Sequence, residues 1–394
     1  MDAKTDTVEE RRDRALLLAY LAGCAVREEM PDPARLEDVD LDALLDLAAK
    51  HMLTAVVATA LESARLGNDR TREGIARAAW RAAQFEAEWE PVRVELEAAG
   101  IWYCPLKGMV IKDLYPAYGM REMGDYDILF DPERAEDVRE IMERRGFITQ
   151  QFSRGCHDTY HKQPILNLEM HRKLFTKSFD HRIDTYFAQT KGRLIKDEDN
   201  TFGYHMDVDE CYLHLVAHEH KHYADGGTGL RSLLDTYVYL RAYADALDWD
   251  RISTTAHSIG LADFEVKNRL LARQLFVADC DSLSDEEQCA LNYIAESSVY
   301  GTIEHTVFNH VRREGNGIRG KVHYLRSRLF PSIEALQEVY PAFFRRRVFF
   351  PALFVYRIGR ALTVKRKYVV TEFKSLHRTG REDNGAQLQQ THRK

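Results

Sequence analysis

"GMREMGDYDILF", Gly119 to Phe130, places two aspartates one residue apart at the mouth of an apolar run. Residues i and i+2 of a strand share a face, so Asp125 and Asp127 lie about 7 Å apart at Cα, with Tyr126 on the opposite face. Two like charges aimed the same way cost stability unless a cation sits between them. Outward from this stretch the texture alternates. "IWYCPL" is a short β-rich run, "KGMVIKDLYP" a short helix, and "DYDILF" a strand. "DPERAEDVREIMERRG" is a helix opened by Asp131-Pro132 and closed by Gly146. "FITQQF", "HDTYHKQ" and "ILNLEMHRKLF" follow as three strand-like segments at hairpin spacing. Residues 100 to about 178 therefore read as a compact β-α-β-α-β-β-β block.

The flanks are helical. Residues 8 to about 99 carry apolar side chains at helical spacing in three runs, with Asp40 or Asp42 as cap of the second and Gly100 ending the third. The helical period returns at Asp207 and holds to about residue 300. A last aromatic and basic region, "YPAFFRRRVFFPALFVYRIGRALTVKRKYVV", reads as one helix broken at Pro351. The chain divides into an N-terminal helical segment (1–99), an α/β core (100–185), a helical domain (186–310), basic aromatic helices (311–380) and a disordered tail (381–394). The fold class is α+β, a small mixed sheet between helical flanks.

With 394 residues, 45% of them hydrophobic, the chain can bury two or three packed cores. Its opening is charged on both signs with only a short apolar run, which fits neither a secretory signal nor a membrane span. The six cysteines are scattered without a C-x-x-C pair, which argues against a disulfide framework and a cysteine zinc site and makes the cytoplasm the expected location. The net charge of −7 conceals an asymmetry: from Val311 to Lys394 there are 19 Lys and Arg against 6 Asp and Glu, a local balance of +13. This basic end either docks on the acidic body or is solvated; contact with RNA or another polyanion is the functional alternative. "FFRRRVFFPALFVYRIGR" likewise reads first as a buried helix with snorkelling arginines, and second as a stacking surface for RNA or an anionic membrane.

Two aspartates on one strand face suit a pair of divalent cations. Ions about 3.5–4 Å apart, bridged by one carboxylate and flanked by another, stabilise both the attacking and the leaving oxygen of a phosphoryl displacement. Glu169 in "ILNLEMHRKL" is the candidate third carboxylate, because Leu166 and Leu168 alternate with Asn167 and Glu169 and put the glutamate on the polar face. Upstream, Lys107-Gly108 directly precedes a helix, where backbone N–H groups, a glycine that permits close approach and an ammonium attract phosphate. The plain alternatives are aspartates solvated in a turn or paired with Arg121 and Lys107, and a Glu169 that simply faces water.

The segment "LKGMVIKDLYPAYGMREMGDYDILF", with "ERRGF" and "LNLEMHRKL" after it, resembles uncharacterised bacterial nucleotidyltransferases of the polymerase-β-like superfamily. "LHLVAHEHKHY" and "GLRSLLDTYVYL" resemble that family's helical half. The resemblance implies transfer of an NMP group from an NTP to an acceptor hydroxyl, with Mg²⁺ or Mn²⁺ held by Asp125, Asp127 and Glu169. It implies that Glu169 also serves as base, that Lys107 and Gly108 hold the triphosphate, and that Arg121 orients the aspartates or neutralises phosphate. Where better-known relatives have Gly-Ser at the phosphate turn, this chain has Lys107-Gly108 and lacks the serine hydroxyl. A small molecule, a protein side chain or an RNA end are all possible acceptors, and a catalytically inactive nucleotide- or RNA-binding protein is the non-enzymatic alternative.

Histidines compete for attention. His218 to His222, "HEHKH", matches H-E-x-x-H, in which His218 and His222 would hold zinc with Glu219 as base of a hydrolase. The plainer reading is that His214, His218 and His222 share one helix face as satisfied polar residues or border a cleft. Arg231 and Asp235, four apart, read as a helix salt bridge. His157 and His161 read as cross-strand packing, and His171 shares the face of Glu169 and can support it from behind.

Overall fold

The computed structural model describes residues 8–277, 283–297, 301–313, 317–344, 350–363, 366 and 368–377. The chain forms two compact units, one of Met1–His220 with Gly229–Val299 and one of Lys221–Thr228 with Tyr300–Lys394. The first begins with helices α1 (Val8–Arg27), α2 (Leu41–Lys50), α3 (Thr54–Ser63) and α4 (Asp69–Ala98). Of the two expected caps, Asp40 is the one used: its carboxylate accepts from Ala43 N at 3.0 Å. Asn68 and Thr71 form a reciprocal capping box at the start of α4, and Gly100, at φ 68°, turns the chain out of its end.

The predicted alternation of strands and helices is present in order: β1 (Tyr103–Pro105), α5 (Gly108–Ile111), β2 (Tyr126–Phe130), α6 (Ala135–Arg144), β3 (Ile148–Gln151), β4 (His157–Lys162) and β5 (Leu166–His171). They make one mixed sheet of order β1-β2-β5-β4-β3, in which only β2 and β5 run parallel. Period-two alternation separates its faces. On one, Tyr103, Tyr126, Ile128, Phe130, Tyr160, Leu166, Leu168 and Met170 pack with Phe85, Val92 and Leu96 of α4 and Val138, Ile141 and Met142 of α6. The other carries Asp127, Glu169, His171, Thr159 and His157, aligned by the ladder pairs Asp127↔Glu169, Thr159↔Glu169 and His157↔His171. Strand β2 starts at Tyr126, so Asp125 stands one residue outside it.

A short helix α7 (His181–Phe187) and a two-stranded pair β6 (Ile195–Lys196) and β7 (Tyr204–His205) lead into α8 (Val208–Asp225), α9 (Leu230–Tyr243), α10 (Trp249–Ser258), α11 (Ala262–Leu275) and α12 (Asp285–Ser297). The second unit contains α13 (Ile303–Arg313), α14 (Gly317–Leu329), α15 (Ile333–Val339), α16 (Pro341–Phe344) and α17 (Phe350–Leu362). Pro351 falls in the first turn of α17, where its missing N–H breaks no helical bond, rather than in the middle of a helix. The buried reading of this helix also needs correction. Leu353 is buried, but Val355 is 72% and Ile358 59% exposed. Among the described residues no helix is long and apolar enough to cross a membrane. The expected disordered tail, 381–394, lies outside the described residues.

The two faces predict unequal sensitivity. Leu168→Ala should cost about 2–5 kcal/mol in urea unfolding by opening a cavity against α4 and α6. Thr159→Ala on the polar face should cost no more than about 1 kcal/mol.

Candidate active site

Parallel pairing of β2 with β5 sets Asp127 beside Glu169, and the site grows from that pair. Asp127 is buried, and its Oδ1 accepts from Lys107 Nζ at 2.7 Å and from His171 Nε2 at 2.8 Å. Lys107 thus supplies the cation that the paired aspartates require. It reaches them from a turn in an unusual conformation, φ 48° and ψ −118°, held on one side by Leu106 N donating to Asp127 O at 2.9 Å. Asp125 is half-buried and makes no hydrogen bond to another described residue. Glu169 Oε2 lies 3.5 Å from His157 Nε2 and 3.7 Å from His171 Nε2.

Arg121 is buried and committed. Its Nε and one terminal nitrogen donate to the two oxygens of Asp235 on α9 at 2.8 and 2.7 Å, and Tyr115 Oη donates to the same carboxylate at 2.8 Å. This pairing corrects the expected Arg231–Asp235 bridge. Asp235 turns to the guanidinium that can engage it with two parallel bonds, while Arg231 donates to the Glu122 carbonyl at 2.9 Å. Gly108 is required by the same guanidinium, because a Cβ there would lie 2.3 Å from an Arg121 terminal nitrogen. The loop before β2 is pinned further by Arg81 of α4, which donates to the carbonyls of Met123 and Gly124, and by Glu122, which accepts from Thr54 N at the start of α3. A cavity of about 210 Å³ reaches Arg121 and is bordered by Glu86, Lys112, Tyr115 and Tyr118.

The electrostatics separate the two aspartates. Burial opposes charge on both. At Asp127, Lys107 and His171 outweigh burial and hold the pKa well below the usual carboxylate range. At Asp125, burial and the neighbouring charge of Asp127 prevail over Lys107, Arg231 and Arg121, and the pKa is raised. Burial alone would lower Lys107; Asp127, Asp125 and Glu169 raise it instead, so the ammonium stays charged. Burial and the adjacent Arg121 lower Arg231. The result is a patch of opposed charges in which Asp127 is held ionised by its neighbours and Asp125 is not.

The helix that carries "HEHKH" is built differently from a zinc-hydrolase helix. Glu219 is buried, its Oε2 accepts from Asn268 Nδ2 at 2.7 Å and Thr236 Oγ1 at 3.2 Å, and its Oε1 has no partner among the described residues. Burial raises its pKa to about 7, with Asp235 adding to the rise. His214 is packed between the rings of Phe175 and Phe187. Among the described residues, the one set of three metal-capable side chains drawn together is His157, Glu169 and His171, with ligand atoms within 4.8 Å of one another. His157 joins the site as a side chain that sequence spacing had assigned to packing. The ladder pairing His157↔His171 brings it there, and no local motif announces a partner fourteen residues away.

A family model described as an uncharacterised nucleotidyltransferase matches residues 37–277, more than half of the chain. No curated protein and no solved structure matches it.

Two measurements follow from this geometry. Asp235→Ala leaves Arg121 buried and unpaired and should destabilise the protein by about 3–5 kcal/mol in chemical denaturation. Glu219, with a folded pKa of about 7 against an ordinary 4.5, contributes stability that is full below the unfolded value and lost as pH rises through the folded one. Glu219→Gln should therefore flatten the fall in thermal stability between pH 5 and 8, by up to about 3 kcal/mol, and be more stable than wild type at pH 8.

Proposed function

The chain belongs to this family of uncharacterised nucleotidyltransferases, and on that premise we propose that it moves an NMP group from an NTP to an acceptor hydroxyl with release of pyrophosphate. The observation that carries the reading is the Asp127–Glu169 pair on adjacent parallel strands, with Asp125 two residues before Asp127 and Lys107 against it. Asp125, Asp127 and Glu169 offer the oxygen donors that a hard divalent ion takes, and burial with the charge of Asp127 raises the pKa of Asp125, a charge that a bound cation would relieve. Mg²⁺ or Mn²⁺ held by Asp125, Asp127 and Glu169 would neutralise the triphosphate and the charge that develops on the leaving pyrophosphate.

The remaining work belongs to the chain's own groups. Lys107 and the Lys107-Gly108 backbone bind the triphosphate, and the ammonium that balances Asp127 is within reach for that role. Glu169 accepts the proton of the acceptor hydroxyl as its oxygen attacks the α-phosphorus and the bond to the β-phosphate oxygen breaks. His171 holds Asp127 in place through its Nε2 hydrogen bond. Arg121, locked to Asp235, orients the turn around Gly108 and adds positive potential at Asp125. The basic C-terminal run, with Arg319 and Arg326 exposed on α14, is the surface read as a polyanion contact and keeps an RNA end among the acceptor classes, beside a small alcohol and a protein hydroxyl.

The test is pyrophosphate release from each of the four NTPs with Mg²⁺ or Mn²⁺, with mass spectrometry of the protein to detect self-modification. Wild type should release pyrophosphate in a metal-dependent way, and Asp125→Asn/Asp127→Asn should reduce the rate by about a hundredfold or more, since loss of ion binding removes several kcal/mol of transition-state stabilisation. Absence of both pyrophosphate release and NTP binding by calorimetry would sink the reading.

A further inference from the structure

On the polar face of the sheet, His157 has no part in a site made of carboxylates alone. Glu169 lies between two imidazoles, with His157 Nε2 at 3.5 Å and His171 Nε2 at 3.7 Å from its Oε2, and the rings of the two histidines have their centroids 4.9 Å apart. All three ligand atoms fall within 4.8 Å of one another. An ion bound tetrahedrally at about 2.0–2.1 Å has ligand-to-ligand edges of about 3.3–3.4 Å, close to the two measured separations. Octahedral Mg²⁺ at about 2.0–2.1 Å needs neighbouring ligands about 2.9 Å apart and takes oxygen rather than imidazole nitrogen.

We propose that His157, Glu169 and His171 form a binding site for a borderline divalent transition metal, Zn²⁺ or Co²⁺, with the fourth position open. The inference rests on the transferase reading in one respect: Glu169, the third carboxylate there, is shared between an oxygen-ligated ion beside Asp125 and Asp127 and a nitrogen-ligated ion beside the histidines. A carboxylate bridging two ions about 3.5–4 Å apart is the ordinary way such pairs are held. The strand ladder supports this division. Asp127↔Glu169 and His157↔His171 are adjacent rungs on one face, with Asp127 toward β2 and His157 toward β4, so Glu169 has oxygen donors on one flank and nitrogen donors on the other. The three ligands are held before any ion arrives, because each sits within or at the end of a strand of the same sheet; ligation through His171 Nε2 would exchange its hydrogen bond to Asp127 for the ion, and Lys107 Nζ, 2.7 Å from that carboxylate oxygen, remains as its partner.

The experiment is titration of chelator-stripped full-length protein with Co²⁺ in the absence of nucleotide, followed by visible absorption, with Zn²⁺ as competitor. Wild type should bind one equivalent with the intense spectrum of tetrahedral cobalt, and Zn²⁺ should displace it. His157→Gln and His171→Gln, checked for folding by circular dichroism, should each weaken binding at least about tenfold. Asp125→Asn should keep the spectrum even where pyrophosphate release is lost, so the failure of the transferase reading and the failure of this site are seen separately. No stoichiometric cobalt or zinc in wild type would overturn the proposal. So would a spectrum that survives both histidine variants, or one that disappears in His218→Ala instead.

Discussion

The parallel register between β2 and β5 is the constraint on which the site depends. Side chains alternate with period two, so the pairing that puts Asp127 beside Glu169 also sends Tyr126, Ile128, Leu168 and Met170 into the core. A slip of one residue would bury two carboxylates against α4 and α6 and expose four large apolar side chains. Hydrophobic burial therefore enforces the geometry of the charged face. The antiparallel pairing of β4 with β5 extends the same discipline to His157 and Thr159.

Bringing carboxylates together needs positive charge close by, and the fold provides it from three directions. Lys107 comes from the turn before α5, Arg121 from the loop before β2, and Arg231 from α9. The division of labour among them follows from burial and hydrogen bonding. Arg121 is fully engaged by Asp235, which makes it a fixed element of the scaffold. Lys107 makes a single contact through a flexible stem, so its charge can be shared with an incoming anion. The opposite pKa directions of Asp125 and Asp127 express the same asymmetry: one carboxylate is already satisfied and the other is waiting for a partner.

The helical part of the first unit is a clamp on this arrangement. Arg81 from α4, the start of α3 through Glu122, and Asp235 with Arg231 from α9 all hold the loop between residues 121 and 124. Such a loop, fixed at both ends by hydrogen bonds to the helices, holds Asp125 and Asp127 in place at the edge of the sheet. The histidine-bearing helix α8 contributes Glu219 to the packing against α9 and α11, where Asn268 and Thr236 donate to its carboxyl and burial raises its pKa.

Much of this was legible in the residues. The alternation of "DYDILF" and "LNLEMH", the cap at Asp40, the glycine stops at 100 and 146 and the order of seven elements in the core are local signals, because each depends on side chains within a turn or two of one another. Local signals also located Asp125, Asp127, Glu169, Lys107 and Gly108 as the places where chemistry could be housed. Sequence spacing did not reveal that Asp235 would leave Arg231 for Arg121, that Gly108 is needed to admit that guanidinium, or that His157 would stand across the sheet from His171. Those partners are 114, 13 and 14 positions apart, and only the closing of the sheet and its helices brings them within hydrogen-bonding or ligand distance. Periodicity determined which face each residue would occupy; tertiary packing decided which of its possible partners each charge would meet, because electrostatic pairing depends on distance in space and on the water excluded between the groups.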